Sequence, residues 1–180
     1  MSDLIVYTYD QEDKATDVLK HVASLKQDNV QKALVGIEDA AVVIKNAKGR
    51  VKVRQTLESA VKGNNIARGG LWGVLIGFLF GGPLFGALLG MSISGLLGHN
   101  IDIGIDNEFI NGISNDLAPG DSALFLLVNN TPTETIAEAL KGFNGKLYHT
   151  SLSEEAEAAL TKAGDHGPIK EAIEAQNADS

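Results

Sequence analysis

Residues 69–101 read GGLWGVLIGFLFGGPLFGALLGMSISGLLGHNI, and none of these 33 residues is Asp, Glu, Lys or Arg. Ten of the chain's 20 glycines lie between Gly69 and Gly98. Glycine inside a helix costs about 1 kcal/mol relative to alanine, so a helix of this composition forms only where close packing or the exclusion of water compensates. The rest of the chain must therefore be organised around an apolar segment that needs a covering surface.

The glycines fall into two series with a spacing of four residues, which places each series on one face of a helix. Pro83 separates the two series, because it lacks an N–H group and disfavours helical geometry at Gly82. We predict a helical hairpin with arms at about 58–80 and 83–98 and a turn at Gly81, Gly82 and Pro83. The residues expected to form packing or oligomerisation contacts are Gly69, Gly73, Gly77, Gly81, Gly82, Gly86, Gly90, Ser94 and Gly98.

The apolar parts of the two arms, residues 66–80 and 83–98, are short for a bilayer, since 1.5 Å per residue gives about 22–24 Å against a hydrocarbon core of about 30 Å. One continuous span would place the sequence before it and after it on opposite sides of the membrane. The hairpin can contact a membrane, form an oligomer core shared between copies, or be buried within its own chain. The sequence favours membrane contact, with the oligomer core next. Burial within the chain is least expected, because one small sheet offers little surface for both arms.

Basic residues precede the hairpin and acidic residues follow it. A basic residue near an anionic membrane surface contributes about 1 kcal/mol to binding. The alternative is a solvated strand face whose charges meet the acidic segment. The candidate membrane-surface residues are Arg50, Lys52, Arg54, Lys62 and Arg68.

The flanking sequence predicts an α+β fold. β-branched and aromatic runs indicate strands at about 4–9, 33–44, 50–54, 122–128 and 146–150. Capping residues and apolar spacing indicate helices at about 10–27, 107–117 and 131–141, and a last helix from 154. Asp10 is the expected cap of the first helix. The continuous apolar run 122–128 predicts a central strand that is buried on both faces.

Without the hairpin, the first six elements follow the βαββαβ order of ferredoxin-like folds, and a C-terminal αβα follows. We expect one antiparallel sheet with helices on one face. Residues 1–57 and 102–163 would form this discontinuous domain, 58–101 the inserted hairpin, and 164–180 a polar C-terminal helix or tail. If the hairpin is an insert, its removal should leave a folded domain.

Composition and motifs argue against several functions. A net charge of −8 disfavours nucleic acid as a partner, and the absence of cysteine excludes thiolate chemistry and thiolate metal sites. The sequence has no phosphate-binding glycine loop, no zinc-protease motif and no complete nucleophile elbow, and its four histidines lack ligand spacing. We therefore expect no enzyme, no cofactor and no metal.

Two acidic positions keep alternatives open. Glu38 and Asp39 interrupt an apolar strand, which indicates either a β-bulge or edge position with both carboxylates solvated, or a ligand or cation site. Asp102, Asp106 and Glu108 could bind a hard cation but lack the spacing of a calcium loop.

The segments LIVY at 4–7, GIEDAAVV at 36–43, KGRVKV at 48–53 and LAPGDSALF at 117–125 accompany the hairpin. Together they resemble a family of bacterial proteins of unknown function, predicted to be membrane proteins, in which a glycine-rich hydrophobic hairpin interrupts a ferredoxin-like domain. The resemblance covers most of residues 4–160. It implies association with the cytoplasmic membrane and supplies no catalytic residues.

We therefore expect a non-enzymatic protein at the cytosolic face of the cytoplasmic membrane, which lacks an N-terminal signal peptide and self-assembles through its hairpin. Its expected partners are other copies of itself and the lipid bilayer. The alternative is a soluble, cytoplasmic regulatory or ligand-binding domain whose hairpins form the core of a homo-oligomer.

Overall fold

A computed structural model describes residues 2–27, 36–57, 71–81 and 105–164. These residues form five strands and five α-helices, which confirms the α+β class. In chain order they are β1 (Ser2–Tyr9), α1 (Lys14–Gln27), β2 (Ile37–Lys45), β3 (Val51–Thr56), α2 (Leu71–Phe80), α3 (Asn107–Asp116), β4 (Ser122–Val128), α4 (Thr133–Leu140), a 3-10 turn (Lys141–Phe143), β5 (Lys146–Leu152) and α5 (Glu154–Gly164).

The strands form one sheet in the order β3-β2-β4-β1-β5, with every neighbouring pair antiparallel. The apolar run of β4 lies at the centre of the sheet and all seven of its residues are buried, as predicted. The βαββαβ interpretation used β3 as the third strand of the motif. In the structure β3 is instead an edge strand next to β2, and β4 takes the place between β1 and β2.

Helices cover both faces of the sheet, so the expectation of helices on one face is wrong. The face covered by α1 and α4, called the α1 face here, includes Ile5, Tyr7, Tyr9, Leu124, Leu126, Val18, Leu19, Ile136 and Leu140. The face covered by α2, α3 and α5, called the α2 face, includes Leu4, Val6, Phe125, Leu127, Trp72, Leu75, Phe109, Ile113 and Leu160. Because the central strands carry apolar side chains on both sides, each face needs its own layer of helices.

Helix α2, the described part of the predicted hairpin, lies inside this core. Val74 and Leu75 are fully buried, and α2 makes its most extensive helix contact with α5. The buried residues of α5 include the small Ala156 and Ala159, which allow a close approach. Burial within the chain was the least expected of the three environments. It is observed for α2, whose side chains cover strand residues of the α2 face that would otherwise be exposed to water.

The start of α1 is decided by a residue that is distant in the sequence. The helix begins at Lys14, so the predicted cap at Asp10 is wrong. The hydroxyl of Ser122, at the start of β4, accepts a hydrogen bond from the Ala15 amide at 3.1 Å and donates one to the carbonyl of Gln11. This fully buried serine ties α1 to the central strand.

The loop before β4 is fixed by its own turn chemistry. Gly120 has φ of +95°, a left-handed conformation that glycine adopts without strain. The Asp121 carboxylate accepts from the Ala118 amide at 2.7 Å, and the Lys45 ammonium donates to the Leu117 carbonyl at 2.8 Å. The segment 117–121 is therefore attached to the end of β2.

The burial of α2 changes the expected effect of deletions. We predict that replacing residues 82–100 with a Gly/Ser linker leaves a cooperative thermal melt, whereas replacing residues 65–100 abolishes it. The second deletion removes the side chains of α2 that cover the α2 face. The linker itself costs little, since loop-closure free energy changes by about 0.6 kcal/mol per doubling of length. Circular dichroism melts of the two proteins make the comparison.

The shorter deletion is the matched control, because it has the same linker chemistry and keeps α2. If the longer deletion melts like the full chain, α2 contributes nothing essential to the core.

Candidate functional site

The structure describes three of the predicted contact glycines. Gly73 and Gly77 are buried within α2, and the half-buried Gly81 follows its last turn. Their described environment is the protein's own core. The other predicted contacts and the turn proline lie outside the described residues: Gly69, Gly82, Pro83, Gly86, Gly90, Ser94 and Gly98.

The described candidate membrane-surface residues lie at or next to edge strand β3, while Lys62 and Arg68 fall outside the described residues. Val53 packs against the core of the α2 face, so the alternating Lys52 and Arg54 point to the other side of the sheet. The Arg54 guanidinium lies 2.7 Å from the Asp13 carboxylate. This pairing, at the start of α1, favours a solvated strand face over a membrane surface for Arg54.

A β-bulge occupies the predicted position in β2. Ile37 pairs with Val128 and Asp39 pairs with Leu127, so Glu38 is the extra residue. The bulge shifts the alternation of β2, which places Ile37 and Ala40 on the same face. As a result the Asp39 side chain is directed to the α2 face. The predicted bulge is present, and Glu38 is exposed as expected, but the expectation of a solvated carboxylate is wrong for Asp39, which is part-buried.

The side chain of Trp72 in α2 contacts the Asp39 carboxylate that the bulge directs to the α2 face. Its indole N–H donates to the Asp39 carboxylate at 2.8 Å, and the other carboxylate oxygen accepts from the Ala40 amide at 2.8 Å. The Trp72 ring packs edge-on against Phe125 of β4, with centroids 6.3 Å apart. Only 2 % of Trp72 is exposed, so α2 is fixed on the sheet by a buried ring with a polar tether.

A second polar cluster joins α3 to β5. The Asp116 carboxylate lies 2.7 Å from the Lys146 ammonium and accepts a hydrogen bond from the Tyr148 hydroxyl. These two hydrogen bonds hold the pKa of Asp116 below its ordinary value, and burial raises the pKa of Tyr148. Gly112 lies under the Tyr148 ring, where a Cβ would come within 2.5 Å of Cε1. The cluster holds a helix on an edge strand.

A third cluster lies where β1 pairs with β5. The same oxygen of Asp3 accepts from the Ser151 hydroxyl at 2.7 Å and lies 3.1 Å from Nε2 of His149. Serine and histidine thus share the carboxylate and do not bond to each other. A nucleophilic triad needs the serine hydroxyl on the histidine, so this arrangement does not support that chemistry.

Among the described residues, no group of three or more His, Asp or Glu side chains is placed to hold a metal ion. Asp106 caps α3, because its carboxylate accepts from the Glu108 amide at 2.8 Å. Asp102 falls outside the described residues. No helix in the described part of the chain is long and apolar enough to cross a membrane.

Sequence reasoning missed the pairings of Trp72 with Asp39 and of Asp116 with Tyr148. The only local signal was the acidic pair inside the apolar strand β2. The partners lie 33 and 32 residues apart in sequence, and no periodic pattern connects them.

We predict that Trp72→Phe lowers the free energy of unfolding by about 1.5–3 kcal/mol, the usual contribution of a hydrogen bond to a charged group. Urea titration followed by circular dichroism measures the change, because the variant lacks the chain's one tryptophan. Asp39→Asn is the control and should lower the free energy of unfolding by less, since it keeps an acceptor oxygen at this position.

A double-mutant cycle with Asp39→Ala isolates the contact itself. Trp72→Phe should cost less in the Asp39→Ala background than in the wild type. Equal costs in both backgrounds would show that the tether contributes no stability.

We predict that Asp116 makes the protein sensitive to acid. Its pKa in the folded state is below the ordinary 3.8, so its contribution to stability is complete above that value and is lost as the pH falls through the folded pKa. The urea concentration at the midpoint of unfolding should therefore fall less between about pH 6 and about pH 3 in Asp116→Asn than in the wild type. The mostly exposed Asp17 provides the control variant Asp17→Asn. An unchanged acid response in Asp116→Asn would contradict the prediction.

A comparison with family models matches residues 66–164 to one family, described as a protein of unknown function (DUF1269). The matched range includes α2 to α5, while β1 to β3 precede it. Because β1 lies between β4 and β5, the matched range needs the preceding residues to complete its sheet. Comparisons with curated proteins and with solved structures find no match. The chain belongs to the DUF1269 family of proteins of unknown function.

Proposed function

We propose that this protein is non-enzymatic and forms a homo-oligomer, in which copies contact each other through the glycine-striped residues 82–101. The observation that carries the proposal is the burial of α2 in the core of its own chain. Gly73 and Gly77, from the first glycine series, are therefore buried within one molecule. The second stripe, at Gly82, Gly86, Gly90, Ser94 and Gly98, is left as the element for contact between copies.

Both ends of this segment start from the same face of the sheet. Phe80 at the end of α2 and Ile105 before α3 both pack against the core of the α2 face. The described chain therefore ends on this face at one side of the segment and resumes on the same face at the other. A single helical arm over residues 83–98 would reach about 24 Å, short of a hydrocarbon core of about 30 Å. This limit favours contact between copies over a membrane span.

We also infer that the sheet is built on a ferredoxin-like core. The units β1-α1-β2 and β4-α4-β5 interleave in the order β2-β4-β1-β5, and α1 and α4 share one face. β3, α2, α3 and α5 would then be additions to that core. Ferredoxin-like sheets are a common frame for regulatory and ligand-binding domains, which agrees with a non-enzymatic role, although the fold by itself does not fix a function.

Association with one leaflet of a membrane, from the cytosolic side, is the second candidate. It is supported by the uncharged sequence of residues 82–101, which is anchored at both ends. In this case the lipid bilayer would be a partner in addition to other copies, and the protein would be located at the cytoplasmic membrane. Under the first candidate it would be cytoplasmic.

We predict that Gly86→Leu and Gly90→Leu reduce the size of the assembly, because a side chain in the stripe keeps neighbouring backbones apart. Gly142→Leu is the matched control, since a Cβ at Gly142 meets open space. Analytical ultracentrifugation in mild detergent measures the size. An unchanged assembly in both stripe variants would reject contact through this segment.

High-speed fractionation of cell extracts without detergent separates the two candidates. A discrete oligomer in the supernatant supports contact between copies alone. Recovery in the membrane pellet, with release by detergent, supports the leaflet contact.

A further inference from the structure

The two edge strands of the sheet differ in charge. β3 carries Lys52 and Arg54, and Arg50 immediately precedes it. Charged side chains, lysine above all, are a usual means by which natural sheets keep an edge strand from pairing with another chain. β5, at the opposite edge, reads KLYHTSL and carries one lysine and no Arg, Asp or Glu. That lysine, Lys146, is at the first position of the strand and lies 2.7 Å from the Asp116 carboxylate.

β5 is open on the side of the α1 face. Leu147 lies opposite Tyr7, and His149 lies opposite Ile5, so both side chains are on the α1 face. Leu147 is 39 % exposed, and it is the one large hydrophobic residue in the described part of the chain that is exposed. Within the described residues β5 pairs with β1 alone, so the backbone groups along its other side point away from the sheet. An apolar side chain and a row of outward-facing backbone groups thus lie along one edge.

The polar side chains beside Leu147 are bonded within their own chain. The Ser151 hydroxyl and the His149 ring contact the same oxygen of Asp3, at 2.7 and 3.1 Å. A strand added beside β5 therefore does not have to supply partners for these groups. The backbone hydrogen bonds of an added strand, together with the cover it gives to Leu147, would favour pairing at this edge.

The sequence of β5 is compatible with pairing to a second copy of itself. Two copies paired antiparallel over all seven residues place Lys146 opposite Leu152, so the two lysines lie at opposite ends of the seam. Like charges directly opposite each other, which destabilise paired strands, are thereby avoided. The two His149 side chains meet at the centre of the seam, and each contacts the carboxylate of Asp3 in its own chain.

We propose that β5 is an interface between copies of this chain, in which two β5 strands pair antiparallel about a two-fold axis and join two sheets into one. Leu147 lies opposite Ser151 of the second copy and is covered by it. The same strand supplies both sides of the contact, as a two-fold axis requires. This interface goes beyond the proposed function and does not depend on it, because β5 is separate from residues 82–101.

The double variant Leu147→Lys, Ser151→Lys tests the pairing, because it places lysines directly opposite each other across the seam. We expect the mass of the assembly in analytical ultracentrifugation to fall about twofold, the loss of one two-fold contact. Far-UV circular dichroism should stay unchanged, since both replaced residues are exposed. The matched control is Gln11→Lys, Ser24→Lys, which makes the same charge change at exposed positions away from β5. A β5 variant that keeps the mass of the wild type would overturn the proposal.

Cross-linking provides a second test that does not require the interface to be broken. The chain has no cysteine, so His149→Cys introduces a single thiol. Directly opposite residues of paired strands have Cβ atoms about 5 Å apart, so a short bismaleimide should convert this variant to a covalent dimer. Ser24→Cys, on the exposed side of α1, is the control. A dimer that forms no faster from His149→Cys than from the control would overturn the proposal.

The two contacts between copies are tested separately. We expect the His149→Cys cross-link to persist when Gly86→Leu and Gly90→Leu are added, because the stripe variants leave β5 unaltered. A cross-link that persists while the stripe variants leave the assembly size unchanged rejects the contact through residues 82–101 and supports the one through β5. Loss of assembly size in the stripe variants without any cross-link gives the opposite assignment.

Discussion

The packing of Trp72 onto the sheet is the contact on which the rest of the structure depends. The ring rests edge-on against Phe125 in the central strand, and its N–H group is bound to the Asp39 carboxylate. This places an uncharged, glycine-containing helix over strands that would otherwise be open to water. Glycine lowers the stability of an isolated helix, so α2 needs this surface as much as the sheet needs the helix. The two are stabilised together.

The same contact explains the bulge in β2. An extra residue in a strand usually weakens its pairing, yet here it turns a carboxylate toward the helix layer. The cost of disturbing the ladder is opposed by the hydrogen bond from the Trp72 N–H to the part-buried Asp39 carboxylate. The clusters at Asp116 and Asp3 act at other points of the same sheet, where they join β5 to α3 and to β1. Each of the three carboxylates therefore connects elements that are distant in the sequence.

Much of the secondary structure could be predicted from local patterns. The apolar run of β4, the alternation of β3 and the turn at Gly49, whose φ is +76°, appear as expected, because each depends on residues close in sequence. The start of α1 could not be predicted, since its capping hydroxyl comes from Ser122, on another strand. The contacts of the candidate site could be predicted even less. Glu38 and Asp39 signalled a bulge, but nothing near them pointed to Trp72.

The sequence by itself determined that the chain has an α+β fold and carries a glycine-rich apolar segment that must be covered. Composition and short-range spacing are sufficient for both, because they set the local backbone preferences and the amount of apolar surface. Only the tertiary structure decided what covers the described part of that segment. The strand order leaves one face of the sheet in need of a second helix layer, and α2 fills it together with α3 and α5. Glycine spacing of four permits close packing against any smooth surface, so the choice between a membrane, another copy and the same chain depends on which surface the fold brings nearest.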